Sequence, residues 1–277
     1  MDSVSAASIR YRVAIRPIQE VEPSRYMIHH LSERTNKPTL LLAHGFSDNG
    51  LCWSRVAREM EVEFDLIMVD ARNHGQSGRG ICSSDDLADD LAAVISGLSA
   101  APTFALGHSM GAGTVAGLAA RHPALVTKIA LEDPPWAENP GVEDDATADK
   151  RREGFRKFLE GVSDMSDEAI LAMGKKQHPD WIDDEFPAWV QSNRQVGSDA
   201  LAGMKYRDWR DNVAKIQCDT LVIHGDEDRG GMLKEAVVDR LIQDNDCFSV
   251  QHIPGAGHNI RREQFELYMK AIQGFFG

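Results

Sequence analysis

The chain has 277 residues, 42% of them hydrophobic, with 23 glycines besides, which is ample for a core without disulfide or metal staples and excludes a mini-protein, a fibrous chain or long disorder. The 30 Lys and Arg against 43 Asp and Glu give a formal charge of −13, so the surface repels phosphate backbones and anionic lipid, and neither nucleic acid nor membrane is an expected partner. The four cysteines, Cys52, Cys82, Cys218 and Cys247, form no CxxC pair, MDSVSAASIRYRV lacks the apolar stretch of a secretory signal, and no apolar run nears the roughly 18 residues of a membrane span, so a cytoplasmic protein with reduced thiols is expected.

In chain order, YRVAI and RYMIHHL read as an antiparallel leader at one sheet edge. Short apolar runs then recur: TLLLA (39–43), DLIMVD (65–70), TFALG (103–107), KIALE (128–132), TLVIHG (220–225) and CFSVQHI (247–253). Their length and β-branched content mark buried parallel strands. Between them lie amphipathic stretches long enough for crossover helices: LCWSRVAREM, DLADDLAAVISGL, GAGTVAGLAARHP and MLKEAVVDRLIQD. Alternating strand and helix predicts an α/β fold, a mostly parallel twisted sheet with helices on both faces.

The rhythm fails between about Pro134 and Ala214, where helical patterns near 148–160, 166–176 and 185–196 accompany four of the five tryptophans, Trp136, Trp181, Trp189 and Trp209. Disordered segments are poor in aromatics, so this stretch is expected to be a helical cap. The domain reading is 1–133 and 215–277 for the core, with the cap at 134–214 between them.

In such sheets the working groups lie beyond the carboxyl ends of the strands. After TFAL stands Gly107-His108-Ser109-Met110-Gly111, a G-x-S-x-G motif between strand and helix. A nucleophile elbow needs glycines at both flanks because the tight turn brings strand and helix too close for side chains, so Ser109 is the expected nucleophile. Acyl transfer also needs two N–H donors aimed at the developing oxyanion, and Met110 and Phe46, of His44-Gly45-Phe46-Ser47, fit those roles. His44 and His108 read as structural histidines.

The serine needs a base and the base an orienting carboxylate. His258, among small residues in Gly255-Ala256-Gly257-His258-Asn259, is the expected base, and Asp228, in the third place after Gly225, is the expected acid. Asp133, at the end of KIALE, is the alternative acid, and Glu132 and Asp226 stand near enough to compete. The order Ser109, Asp228, His258 is that of the α/β-hydrolase arrangement.

With these motifs, and with Asp70-Ala71-Arg72-Asn73-His74-Gly75-Gln76-Ser77-Gly78, the chain resembles the α/β-hydrolase superfamily from about residue 25 to 277, in its cap-bearing, esterase-like branch. The resemblance implies structural roles for Asp70, Arg72 and His74. The chain departs from it at Asn73, which replaces a glycine, and at Gly230-Gly231, where relatives often carry a proline after the acid. A serine at the elbow argues against the dehalogenase and epoxide hydrolase relatives, which use aspartate there.

The chain shows neither the H-x-H-x-D-H metal cluster, nor G-x-G-x-x-G after a strand, nor a P-loop, so no metal or cofactor is expected. The leading expectation is a serine hydrolase acting on a small-molecule carboxylic ester or a lactone, such as an acylated homoserine lactone, through an acyl-enzyme. Trp136, immediately beyond a strand end, is expected to line the acyl pocket. A C–C hydrolase, an amidase and a non-catalytic ligand receptor on the same fold are the alternatives.

Overall fold

A computed structural model describes residues 12–13, 28–30, 37–139, 145–197, 200–201, 204 and 208–277. Its strands are β1 (Arg12–Val13), β2 (Ile28–His30), β3 (Thr39–Ala43), β4 (Asp65–Val69), β5 (Thr103–His108), β6 (Val126–Glu132), β7 (Asp219–His224) and β8 (Phe248–His252). They form one sheet in the order β1-β2-β4-β3-β5-β6-β7-β8. Strands β1 and β2 pair antiparallel, and β2 joins β4 antiparallel, as the leader reading expected. The other six run parallel.

Alternate side chains of a strand leave opposite faces, which is why runs such as TLLLA are apolar throughout. Leu41 and Ala43 enter one core, with Ile67, Leu91 and Val115, while Leu40 and Leu42 enter the other, with Trp53, Met68 and Tyr268. Helices α1 (Ser54–Met60), α2 (Ser84–Gly97), α3 (Met110–Arg121), α8 (Glu235–Asp244) and α10 (Phe265–Phe276) cover these faces. Helix α2 starts on a capping box, in which Ser83 accepts from Asp86 N–H and the Asp86 side chain accepts from Ser83 N–H. Helix α3 is rich in Gly and Ala and packs close: a Cβ on Gly117 would stand 3.2 Å from Ala88 Cβ.

Between β6 and β7 lie α4 (Asp145–Ser163), α5 (Asp167–Gln177), α6 (Phe186–Arg194) and the short α7 (Arg210–Val213), while α9 (Ile260–Glu263) precedes α10. The insertion has its own apolar cluster, in which Trp181, Trp189 and Phe186 pack with Ile170 and Val162. No helix among the described residues is long and apolar enough to cross a membrane.

Candidate active site

The site is assembled by register. His108 pairs with Glu132 across β5 and β6, so the next residues, Ser109 and Asp133, stand side by side at the carboxyl ends of adjacent strands. Ser109 N–H donates to Glu132 O at 2.9 Å, and Asp133 N–H to Ile223 O at 2.8 Å. Both residues hold the left-handed backbone, with φ of 53° at Ser109 and 43° at Asp133, a conformation uncommon outside glycine and enriched at functional turns.

The flanking glycines behave as an elbow requires. A Cβ on Gly107 would meet Gly111 O at 2.3 Å, and one on Gly111 would meet Ala43 O at 2.2 Å. Ser109 is the N-cap of α3 and is 8% exposed. Met110 opens that helix, so its N–H belongs to the first turn, which has no intrahelical acceptor. Across the site, Ser47 turns the loop after β3 with φ of 68°, and Phe46 of that loop lines the same cavity as Ser109 and Met110.

The carboxylate that meets His258 is the alternative one, Asp133, and not Asp228, with His258 Nδ1 2.5 Å from Asp133 Oδ2. Asp133 is fully buried, and its carboxylate also accepts Met232 N–H at 2.8 Å and Leu233 N–H at 3.1 Å. Asp228 lies on the exposed 3-10 turn Glu227–Arg229, beyond the end of β7. Asp226 is engaged elsewhere, accepting Gly255 N–H at 2.7 Å and meeting His252 Nε2 at 2.7 Å. The physical reason is placement: Asp133 follows the strand adjacent to the elbow, whereas the chain has turned outward by the time it reaches Asp228.

Three further histidines surround the site as buried neutral rings. His108 Nε2–H donates to the main-chain oxygen of His258 at 3.0 Å, and the two rings lie 4.8 Å apart. Burial, aided by the charges of Arg261 and His258, holds the His108 pKa well below the ordinary value. His44 Nδ1 lies 2.8 Å from Gly45 O, and its Nε2 accepts Ala71 N–H at 2.9 Å, so this ring ties the loop after β3 to the one after β4. Burial lowers its pKa also. His74 Nδ1 lies 2.8 Å from Arg72 O, and burial, then the neighbouring His44, depresses its pKa to about 3.

The loop after β4 is structural, as expected. Asp70 accepts Gly50 N–H and Gln76 N–H at 2.8 and 2.9 Å, and Arg72 pairs with Asp90 at 2.7 Å. Asn73 occupies its glycine-like position with φ of 67° and exchanges side-chain hydrogen bonds with Gly80 O and Gly80 N–H. Among residues with a side chain, Asn is one of those that tolerate this conformation best.

A cavity of about 550 Å³ opens at Ser109. Its wall takes Phe46, Met110 and Met232 from outside the insertion, and Trp136, Phe155, Phe158 and Trp209 from the segment between β6 and β7. Trp136 stacks on Trp209 at 5.4 Å, and the Trp209 indole N–H donates to Ala137 O. The four tryptophans between β6 and β7 therefore divide: Trp136 and Trp209 line the cavity, while Trp181 and Trp189 pack in the insertion's own cluster. No group of three His, Cys, Asp or Glu among the described residues could hold a metal ion.

The reading from sequence missed Phe155, Phe158 and Met232 as cavity residues. Their signal was weak, because apolar residues at helical spacing look the same whether they face a core or a cavity. It also missed the burial of Arg261 and Arg262, which follow His258 closely.

A model of the alpha/beta hydrolase family matches residues 40–268. The 2-(acetamidomethylene)succinate hydrolase of Mesorhizobium japonicum is 25% identical over 261 residues, 89% of this chain and 90% of that protein. A monoacylglycerol lipase of Mycolicibacterium smegmatis is 26% identical over 243 residues, 81% of this chain and 82% of that one. The crystal structure of an E-2-(acetamidomethylene)succinate hydrolase superposes with a TM-score of 0.77 at 20% identity, covering 96% of this chain and 99% of the other, a likeness of fold.

Proposed function

Since this chain belongs to the alpha/beta hydrolase family, we propose that it is a serine hydrolase cleaving a carboxylic ester or lactone, with Ser109 as nucleophile, His258 as base and Asp133 as the orienting acid. The observation that carries this reading is the 2.5 Å contact between His258 Nδ1 and the buried Asp133 carboxylate, on the strand end beside the elbow serine. A carboxylate there keeps the proton on Nδ1, leaving Nε2 free to accept one, and it stabilises the imidazolium that forms.

In this reading Ser109 Oγ attacks the substrate carbonyl and His258 takes its proton. The N–H groups of Phe46 and Met110 hold the oxyanion, and His258 returns the proton to the leaving alcohol. Water then repeats the sequence on the acyl-enzyme. The aromatic and thioether lining suits an apolar acyl chain, whose burial contributes roughly 25 cal/mol per Å².

Amide hydrolysis on the same machinery is the second reading, favoured by the likeness over nine-tenths of the chain to a relative whose named substrate carries an acetamido group. The test is a fluorophosphonate probe with peptide mapping, followed by turnover of p-nitrophenyl esters, acyl lactones and N-acyl enamides side by side. Labelling at Ser109 that is lost in Ser109→Ala, with ester or lactone turnover, is expected. Labelling elsewhere would overturn the reading, and faster amide than ester cleavage would move the substrate to the second one.

A further inference from the structure

Five buried ionisable side chains form one connected network that does not enter the chemistry just described. Glu132 is 0% exposed and Arg261 1%, and Asp48, Arg262 and Glu185 are buried as well. The Glu132 carboxylate accepts the main-chain N–H of Arg261 at 3.0 Å and its Nη1–H at 3.2 Å. The other arm of the same guanidinium donates to Asp48 Oδ2 at 2.7 Å. Asp48 Oδ1 accepts from Arg262 Nη2 at 3.1 Å, and Arg262 Nε continues to Glu185 of the insertion at 3.3 Å.

Burying this many charges costs desolvation that pairing returns only in part, so the network is a poor source of stability. Its placement is more telling. Glu132 precedes Asp133, and its main-chain oxygen holds Ser109 N–H. Arg261 follows His258 by three residues. Asp48 closes the turn that carries Phe46, its N–H donating to Gly45 O at 3.1 Å. Acid, base, nucleophile and oxyanion loop thus meet at one chain of three side chains.

We propose that Glu132–Arg261–Asp48 is a strut setting the oxyanion loop at a fixed distance from the Ser109–His258 pair, with Arg261 and Asp48 as positioning residues for the Phe46 N–H. The proposal rests on the serine hydrolase reading. The planar guanidinium suits the task, because its fork engages two carboxylates in fixed directions where an ammonium would be a point charge. Asp48 remains ionised: burial acts to raise its pKa, but Arg262 and Arg261 bring it below the usual carboxylate value. The branch through Arg262 to Glu185 reaches the insertion and is not part of the strut.

The test compares Asp48→Asn and Arg261→Lys with the control Glu185→Gln, which removes a buried charge from the same network and leaves both arginine contacts of Asp48 in place. Thermal unfolding, kcat and KM on a p-nitrophenyl ester, the pH profile of kcat/KM and fluorophosphonate labelling are read for each. Losing an oxyanion donor costs on the order of 10² to 10³ in kcat, so a donor that is displaced but present should cost roughly tenfold or more. The strut variants should lose that in kcat, with KM within about twofold and, in Asp48→Asn, an unmoved pH profile, because only transition-state contacts are affected. The control should keep kcat within about threefold.

Wild-type kcat in both strut variants, a rise in KM alone, or an equal loss in the control overturns the proposal. If Asp48→Asn shows no cooperative unfolding, Arg261→Lys, which retains a buried cation, answers the same question. Collapse of both assigns the network to folding and overturns it too. Absence of Ser109 labelling in wild-type protein would instead mark failure of the serine hydrolase reading.

Discussion

Replacing the acid tests the register argument most directly. In Asp133→Asn one carboxylate oxygen becomes an NH₂ group at a fully buried position. Oδ2 faces both Met232 N–H and His258 Nδ1, and Oδ1 faces Leu233 N–H, so either orientation of the amide opposes donor to donor. With the NH₂ toward Leu233, one buried N–H is orphaned at a cost of about 1–3 kcal/mol. With the NH₂ toward His258, the imidazole is also forced into the tautomer whose Nε2 already carries a proton and cannot act as base. In both cases the charge opposing the imidazolium is gone, and loss of this acid in serine hydrolases costs on the order of 10⁴ in kcat. Asp228→Asn, on an exposed turn, should change stability by no more than about 0.5 kcal/mol and leave turnover near wild type. Steady-state kcat on a p-nitrophenyl ester, with thermal unfolding of each variant, decides the matter. Equal losses, or a greater loss at Asp228, would refute the assignment of the acid to the end of β6.

Two further outcomes follow from the buried rings and the cavity wall. His74 has a folded pKa of about 3 against about 6.5 unfolded, so its stabilising contribution is complete above about pH 6.5 and is lost as pH falls toward 3, up to about 5 kcal/mol in all. His74→Asn should therefore flatten the fall of unfolding free energy between pH 6 and 4 by about 1.4 kcal/mol per pH unit, and urea titrations giving parallel slopes for the two proteins would contradict this. Trp136→Ala removes a ring that lines the cavity and stacks on Trp209, so kcat/KM should fall further for hexanoyl than for acetyl p-nitrophenyl esters. A uniform fall with a lowered Tm would assign the ring to packing.

Strands β3 to β7 were legible because they are buried on both faces over most of their length, which writes a near-continuous apolar run into the sequence, whereas the edge strand β8 is buried only at Phe248. The elbow was legible because its glycines answer to backbone contacts of 2.2–2.3 Å that admit no side chain. The carboxylate partner of His258 was not, since Asp133 and Asp228 both follow a buried strand, and what separates them is the pairing of His108 with Glu132, a property of two strands together. The tryptophans were equally ambiguous: nothing local distinguishes Trp136 and Trp209 at the cavity from Trp181 and Trp189 in the insertion's own cluster. Nothing in the sequence marks Arg261 and Arg262 for burial, and only the arrival of Asp48, more than 200 residues earlier, makes it possible.

The exchange between the two strand ends has a local cause in the loop after β7. Gly230 and Gly231 stand where the resemblance implies a proline, and the structure uses the difference. Gly230 turns the chain with φ of 96°, and Gly231 N–H donates to Asp226 O at 2.9 Å, folding the segment back toward the sheet. Met232 and Leu233 then direct consecutive N–H groups at Asp133. A proline would fix φ near −65° and remove an N–H donor, so neither the turn at Gly230 nor the Gly231 hydrogen bond would survive it. The segment in which the sequence points to the acid thus supplies the donors for a carboxylate on the neighbouring strand. A buried carboxylate needs hydrogen-bond donors, so the glycine pair and the burial of Asp133 form one structural solution.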